Sequence, residues 1–157
     1  MRFEHLIEVN DLANPLQNLL TREELWFGLL CRAEDARAFL PGLESCRIVE
    51  RGDAHLVRDL HFGNTVIRDR VTFRSMDWIC FESEANEEHA GGSLRITIEE
   101  PQKGALFLRF QYHTTLPEGA GSEDGQYAGF VRSAYHQSDI DTVRVIRMLA
   151  ESGGLQQ

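Results

Sequence analysis

Hydrophobic and polar positions alternate along most of this chain, and only a few stretches switch to a helical period. Phe3, His5, Ile7 and Val9 interleave with Glu4, Leu6 and Glu8, which predicts a strand ended by Asn10-Asp11 and Asn14-Pro15. Thr21 and Glu24 then have the spacing of a capping box. Behind them Leu25, Trp26, Leu29, Leu30 and Ala33 recur at helical spacing, so one stripe of that helix is buried. A second short helical piece, at about 34–40, stops at Pro41-Gly42.

From residue 43 to about 117 the pattern is strands and turns. Strands are predicted at 45–50, 54–62, 65–74, 78–85, 93–99 and 105–116, separated by Gly-, Asn-, Asp- and Pro-containing turns. A loop over 116–125 leads into a long helix, 126–151, which ends at Gly153-Gly154. The order is strand, two short helices, six strands and a long helix, with short connections. It predicts one α+β domain over residues 1–157, a seven-stranded curved antiparallel sheet wrapped around the C-terminal helix.

One hairpin can be read to the residue. Gly63-Asn64 fits a two-residue type II′ loop, which pairs Phe62 with Thr65, Leu60 with Ile67, Arg58 with Asp69 and Leu56 with Val71. That set is the apolar face. The other face pairs His61 with Val66, Asp59 with Arg68, Val57 with Arg70 and His55 with Thr72, and is solvated. Arg58 and Asp69 therefore oppose each other in the middle of the inward face, where burying either charge alone would be expensive. Two roles fit the pair: a cross-strand bridge that fixes register, or a polar anchor in a cavity wall that orients a ligand.

The long helix is interrupted in the same way. At 100° per residue, Tyr127, Phe130, Val131, Ala134, Val145, Met148 and Leu149 form one stripe, with Ser138, Asp141 and Thr142 near its middle. Either the helix meets a watery cavity there, or a kink turns these residues outward; the cavity is the reading adopted. Leu106, Leu108, Phe110 and Tyr112 share a strand face, as do Leu94, Ile96 and Ile98. Tyr112 has a hydroxyl to place and suits a pocket wall or a core rim. His5 shares its face with Ile7 and Val9, and Trp26 lies on the buried stripe of its helix; core packing is the simpler role for each. In the 78–85 strand, the length of the preceding turn decides whether Phe81 or Glu82 faces inward. Arg58, Asp69, Tyr112, Ser138, Asp141, Thr142, His5 and Trp26 are the candidate ligand-binding residues.

Charge narrows the partners. The net charge is −9, and the sole lysine is Lys103, so nucleic acid and anionic membranes are poor partners. Cys31, Cys46 and Cys80 are odd in number and widely spaced, which argues against a disulfide framework and for a reducing, cytoplasmic setting. No secretory signal pattern or membrane-spanning run is present. Phosphate-binding loops, nucleophile elbows and zinc-binding motifs are lacking, and the six histidines are scattered. No cofactor, metal or fixed catalytic residue is expected.

The stretches Phe3-Glu4-His5, Leu25-Trp26-Phe27-Gly28-Leu29, Phe39-Leu40-Pro41 and Arg58-Asp59-Leu60-His61-Phe62-Gly63 carry a family resemblance. The chain resembles the START-like, birch-pollen-allergen-like superfamily (SRPBCC) of helix-grip folds, and within it the AtaL-like branch. The resemblance implies a deep cavity between sheet and long helix that takes hydrophobic ligands such as lipids, steroids or polyketides. It supplies no fixed catalytic motif, and fold alone does not assign activity.

Three functions follow as expectations. The first is binding of a hydrophobic, lipid- or polyketide-like small molecule in that cavity. The second is an enzyme of the polyketide cyclase or hydratase type, with Asp69 or Asp141 as base and Arg58 stabilising an enolate or oxyanion. The third is an interaction module like the chaperone-cofactor members of the superfamily. An open sheet edge permits a homodimer as well as a monomer.

Overall fold

The computed structural model describes residues 1–86, 91–115 and 122–153, the side chains of 122–128 excepted. Its elements are β1 (Arg2–Glu8), α1 (Arg22–Glu34), β2 (Ser45–Arg51), β3 (His55–Phe62), β4 (Thr65–Arg74), β5 (Trp78–Ser83), β6 (Gly92–Gln102), β7 (Ala105–Thr114) and α2 (Ser122–Glu151), with a 3-10 turn at Ala36–Ala38. The seven strands form one antiparallel sheet in the order β1-β7-β6-β5-β4-β3-β2. β1 and β2 are the two edges, so α1 and the 3-10 turn carry the chain across the sheet between them. This is the helix-grip arrangement: a curved sheet with the long helix against its inner face.

Local chemistry sets the boundaries. The Thr21 hydroxyl accepts from the Glu24 amide at 3.0 Å, and the Glu24 carboxylate accepts from the Thr21 amide at 2.9 Å, which completes the capping box. Asp35 adopts an extended conformation, φ −153°, and its side chain caps the next turn. The second short helical piece is therefore a single 3-10 turn, Ala36–Ala38, within the expected 34–40. Gly63 has φ 58° while Asn64 does not enter the left-handed region, the geometry of a type II′ hairpin. β6 runs on past Glu99, through Pro101, to Gln102; its register with β7 shifts between Glu99 and Gln102, so the missing Pro101 amide breaks no regular ladder. α2 starts at Ser122, before the expected residue 126, because Ser122-Glu123-Asp124 has the polar, acidic composition that favours a helix N-terminus. Of the loop read at 116–125, residues 116–121 lie outside the described residues.

The core lies between sheet and helices. Leu25, Leu29 and Ala33 of α1, Leu106, Leu108 and Phe110 of β7, Ile79 of β5, Ile96 of β6 and Ile146 of α2 are all fully buried. Gly28 marks the crossing of α1 and α2: a β-carbon there would stand 2.5 Å from Ile146 Cγ2. Buried Asn10 fastens the loop after β1, donating to the Leu20 and Gly104 carbonyls and accepting from the Leu20 amide. No helix among the described residues is long and apolar enough to cross a membrane.

The buried face of α2 departs from the sequence expectation. Asp139, Thr142, Val143, Ile146 and Ala150 point inward, whereas Phe130 and Met148 are exposed. The inward face is turned by about a third of a turn from the expected stripe. Apolar residues on α2 are spread over a wide arc, and Val145 and Leu149 pack only partly against the core.

Candidate functional site

The register of β3 with β4 is the one the Gly63-Asn64 turn dictates, from His55 opposite Thr72 to Phe62 opposite Thr65. Arg58 and Asp69 face each other in the sheet interior, 1% and 3% exposed. Arg58 Nε and Nη2 donate to the two Asp69 carboxylate oxygens at 2.7 and 3.0 Å. Arg58 Nη1 donates to the Arg32 and Ala33 carbonyls at 2.7 and 3.0 Å. The guanidinium thus closes the C-terminal end of α1, where unpaired carbonyls concentrate negative potential. On the outer face Asp59 and Arg68 form the expected surface pair at 2.8 Å. β5 settles its parity with Ile79 and Phe81 inward, because Phe81 pairs with Val71 and Ile79 with Phe73.

A cavity of about 420 Å³ opens beside the Arg58–Asp69 pair. Leu40, Leu60, Phe62, Ile67, Phe81 and Leu94 supply its apolar wall. Arg32, Arg58, Asp69, Tyr112 and Ser138 contribute polar groups, and Tyr135 of α2 lines it as well. It lies at the end of the sheet where the β3–β4 hairpin turns. An apolar hollow with a few convergent polar groups has the character of a small-molecule site.

Four of the residues singled out from sequence therefore meet at one cavity: Arg58, Asp69, Tyr112 and Ser138. His5 stands beside it. Its Nδ1 lies 2.7 Å from Asp139 Oδ2, and the Tyr112 hydroxyl donates to Asp139 Oδ1 in a short bond. Phe3 stacks on Tyr112 with ring centroids 4.8 Å apart, and the His136 ring lies 4.6 Å from His5. Burial pushes the Asp139 carboxyl upward against the opposing effect of its Tyr112 and His5 bonds. Burial and then the Asp139 charge push the Tyr112 phenol well above its usual range.

The other three candidates lie elsewhere. Trp26 packs in the core against Phe73, ring centroids 6.0 Å apart, toward the opposite end of β4. Thr142 is buried, and its hydroxyl donates back to the Ser138 carbonyl at 3.1 Å. Asp141 is turned toward the surface, where it meets Arg144 at 2.8 Å and Gln137 at 3.1 Å. The rotation of α2 explains this: Asp139, two positions earlier, takes the inward place expected of Asp141.

Sequence reasoning missed Arg32 and Asp139. The signal for Arg32 was available, since it falls at i+7 from Leu25 on the stripe that also carries Leu29 and Ala33. Its guanidinium lies 4.5 Å over the Phe81 ring, the residue is 7% exposed, and its buried Nε has no hydrogen-bond partner among the described residues. Desolvation first, and then Arg58, push its pKa down to about 10. Among the described residues no group of three or more His, Cys, Asp or Glu side chains could hold a metal ion. Burial raises the Cys31 and Cys80 thiols, away from thiolate reactivity.

Comparison with known proteins bears on this geometry. A family described as AtaL, acetylaranotin biosynthesis cluster protein L, matches residues 7–153. Among solved structures, the Zhui aromatase/cyclase from Streptomyces sp. R1128 is similar over 98% of this chain and 94% of that one, at 15% identity and TM-score 0.62. The di-domain ARO/CYC StfQ from the steffimycin biosynthetic pathway is similar over 98% of this chain and 51% of its own length, at 14% identity and TM-score 0.69. This chain therefore spans about half of StfQ. Ara h 8.0201 is similar over 94% of this chain and 98% of that one, at 13% identity and TM-score 0.58. At these identities the likeness is one of fold. No match was found among curated proteins.

Proposed function

The chain belongs to the AtaL family, and from that premise we propose that it binds a hydrophobic, lipid- or polyketide-like small molecule between the sheet and the C-terminal helix. The observation that carries this reading is the cavity of about 420 Å³, walled by aliphatic and aromatic side chains and edged by a few fixed polar groups. The hollow is partly open at its rim, and its concave, mainly apolar lining is what suits it to a small-molecule occupant. The wall residues come from β3, β4, β5, β6 and the segment after the 3-10 turn, so the fold itself shapes the hollow.

A second reading, cyclisation of a polyketide-like substrate in the same space, is favoured by the His5–Asp139–Tyr112 chain at the cavity edge. A base with a pKa raised towards neutrality suits proton transfer at a carbon beside a carbonyl. Asp139 has that upward direction, whereas Asp69 is held by Arg58 and Asp141 faces the surface. The resemblance to aromatase/cyclases supports this reading as far as fold supports function.

One experiment addresses both. The purified protein is analysed by native mass spectrometry, first as isolated and then after incubation with a linear poly-β-carbonyl compound. A retained, unchanged compound supports carriage. Release of a compound lighter by water, lost with Asp139→Asn, supports cyclisation. Absence of any adduct, both as isolated and across a panel of apolar compounds, overturns the binding reading.

A further inference from the structure

Among the described residues lining the cavity, Arg32 is the cation that forms no hydrogen-bonded ion pair. Arg58 is neutralised by Asp69 through two hydrogen bonds. Both Asp139 oxygens are engaged, one by His5 and one by Tyr112. Arg32 faces the same space with 7% of its surface exposed, and its buried Nε has no partner among the described residues. The main-chain carbonyl of Arg32 is held by Arg58 Nη1, which fixes the α1 backbone from which this side chain projects.

A guanidinium in this position is unfavourable in the empty protein. It gives up hydration and gains the face of Phe81, 4.5 Å away, which is weaker compensation than a carboxylate would be. Arg58 adds repulsion, which the nearby Tyr112, Asp69 and Asp139 only partly oppose, since none of them forms a hydrogen bond with the Arg32 guanidinium. A purely packing role would be met better by Met or Leu, so the charge points to a counter-charge brought by the ligand. A neutral carbonyl would satisfy a donor but leave the charge unmatched, whereas an anionic oxygen answers both.

We propose that Arg32 is the recognition group for an anionic oxygen on the ligand, so that the cavity selects amphipathic organic anions (an apolar body bearing a carboxylate, sulfonate, phenolate or enolate) over neutral molecules of the same shape. The inference rests on the proposed binding function and deepens it. Phe81, Leu94 and Leu60 receive the apolar body, and Arg32 holds the charged end on the α1 side. The chain as a whole carries a net −9, so this preference arises locally in the cavity and against the long-range field.

The test uses a matched pair of fluorescent probes. 8-Anilinonaphthalene-1-sulfonate and N-phenyl-1-naphthylamine share one skeleton and differ by the sulfonate. The wild-type protein is expected to bind the sulfonate roughly tenfold or more tightly than the neutral compound, the scale of one charge-assisted contact. Arg32→Met is expected to abolish that preference while leaving neutral-probe affinity in place, and Arg32→Lys to retain part of it. In the absence of probe, Arg32→Met is also expected to melt no lower than the wild type, since the buried donor it removes has no hydrogen-bond partner to lose. A packing role predicts an unchanged preference between the two probes in Arg32→Met. Equal affinity of the wild-type protein for the two probes overturns the anion assignment alone and needs no variant to be interpreted. Failure to bind either probe overturns the binding function and the assignment with it.

Discussion

Arg58 forms four hydrogen bonds, two to Asp69 on the neighbouring strand and two to carbonyls at the end of α1. It joins sheet to helix and also edges the cavity, so the alternatives of bridge and anchor describe one side chain with both positions. Structural commitment dominates its energetics. Arg58→Ala is expected to destabilise the protein by about 3–5 kcal/mol, because Asp69 is left buried and unpaired. The double variant Arg58→Met with Asp69→Leu should recover most of that loss, retaining only the missing α1 closure. Urea denaturation of the two variants and the wild type gives the comparison. If Arg58→Ala unfolds at the wild-type midpoint, the pair contributes little to the fold and its place at the cavity is its main role. The pair was legible because strand parity and a two-residue turn fix which side chains meet. Asp139 was not legible: its inward position depends on the rotation of a helix about its axis, and no turn fixes that angle.

At the scale of elements, legibility followed the sharpness of local rules. Strand positions, the Thr21 cap and the β3–β4 register were readable because turn chemistry and period-two alternation act over a few residues. The inward face of α2 was obscured because Val145, Met148 and Leu149 mark one stripe while Val143, Ile146 and Ala150 mark another, and contact with α1 selects the second. Gly28 is the selector. With a β-carbon only 2.5 Å from Ile146 Cγ2 and 3.1 Å from Ile146 Cβ, a larger residue has no flexible side-chain end to displace. Gly28→Ala is therefore expected to destabilise by about 1–3 kcal/mol despite its better helix propensity. Combined with Ile146→Ala, the second substitution should cost less than it does in the wild-type background, the coupling expected of residues in contact. Thermal or urea melts of the four-member cycle measure this. Strict additivity would mean that the two helices do not touch through this pair.

For the whole molecule, the placement of empty space separates core from cavity along the same sheet. Ile96 of β6 is fully buried among Leu108, Phe110 and Ile79, whereas Ile67 of β4 is partly exposed and lines the hollow. The same substitution should therefore behave in opposite ways at the two positions. Ile96→Trp adds volume to a region already filled and is expected to destabilise by about 1–3 kcal/mol or more. Ile67→Trp places its ring in the cavity of about 420 Å³, so its stability should stay within about 1 kcal/mol of the wild type or rise as apolar surface is covered. Its uptake of a neutral apolar probe should fall sharply, because the ring takes the ligand's place. Urea melts with parallel N-phenyl-1-naphthylamine titrations read both quantities on one sample. Equal destabilisation at the two positions would show that the hollow closes in solution, and the protein would then be a packed domain with no reserved volume. Stability kept with uptake lost is the outcome that follows if the fold holds a cavity open for an occupant, with Arg32 and Tyr112 already in place around it.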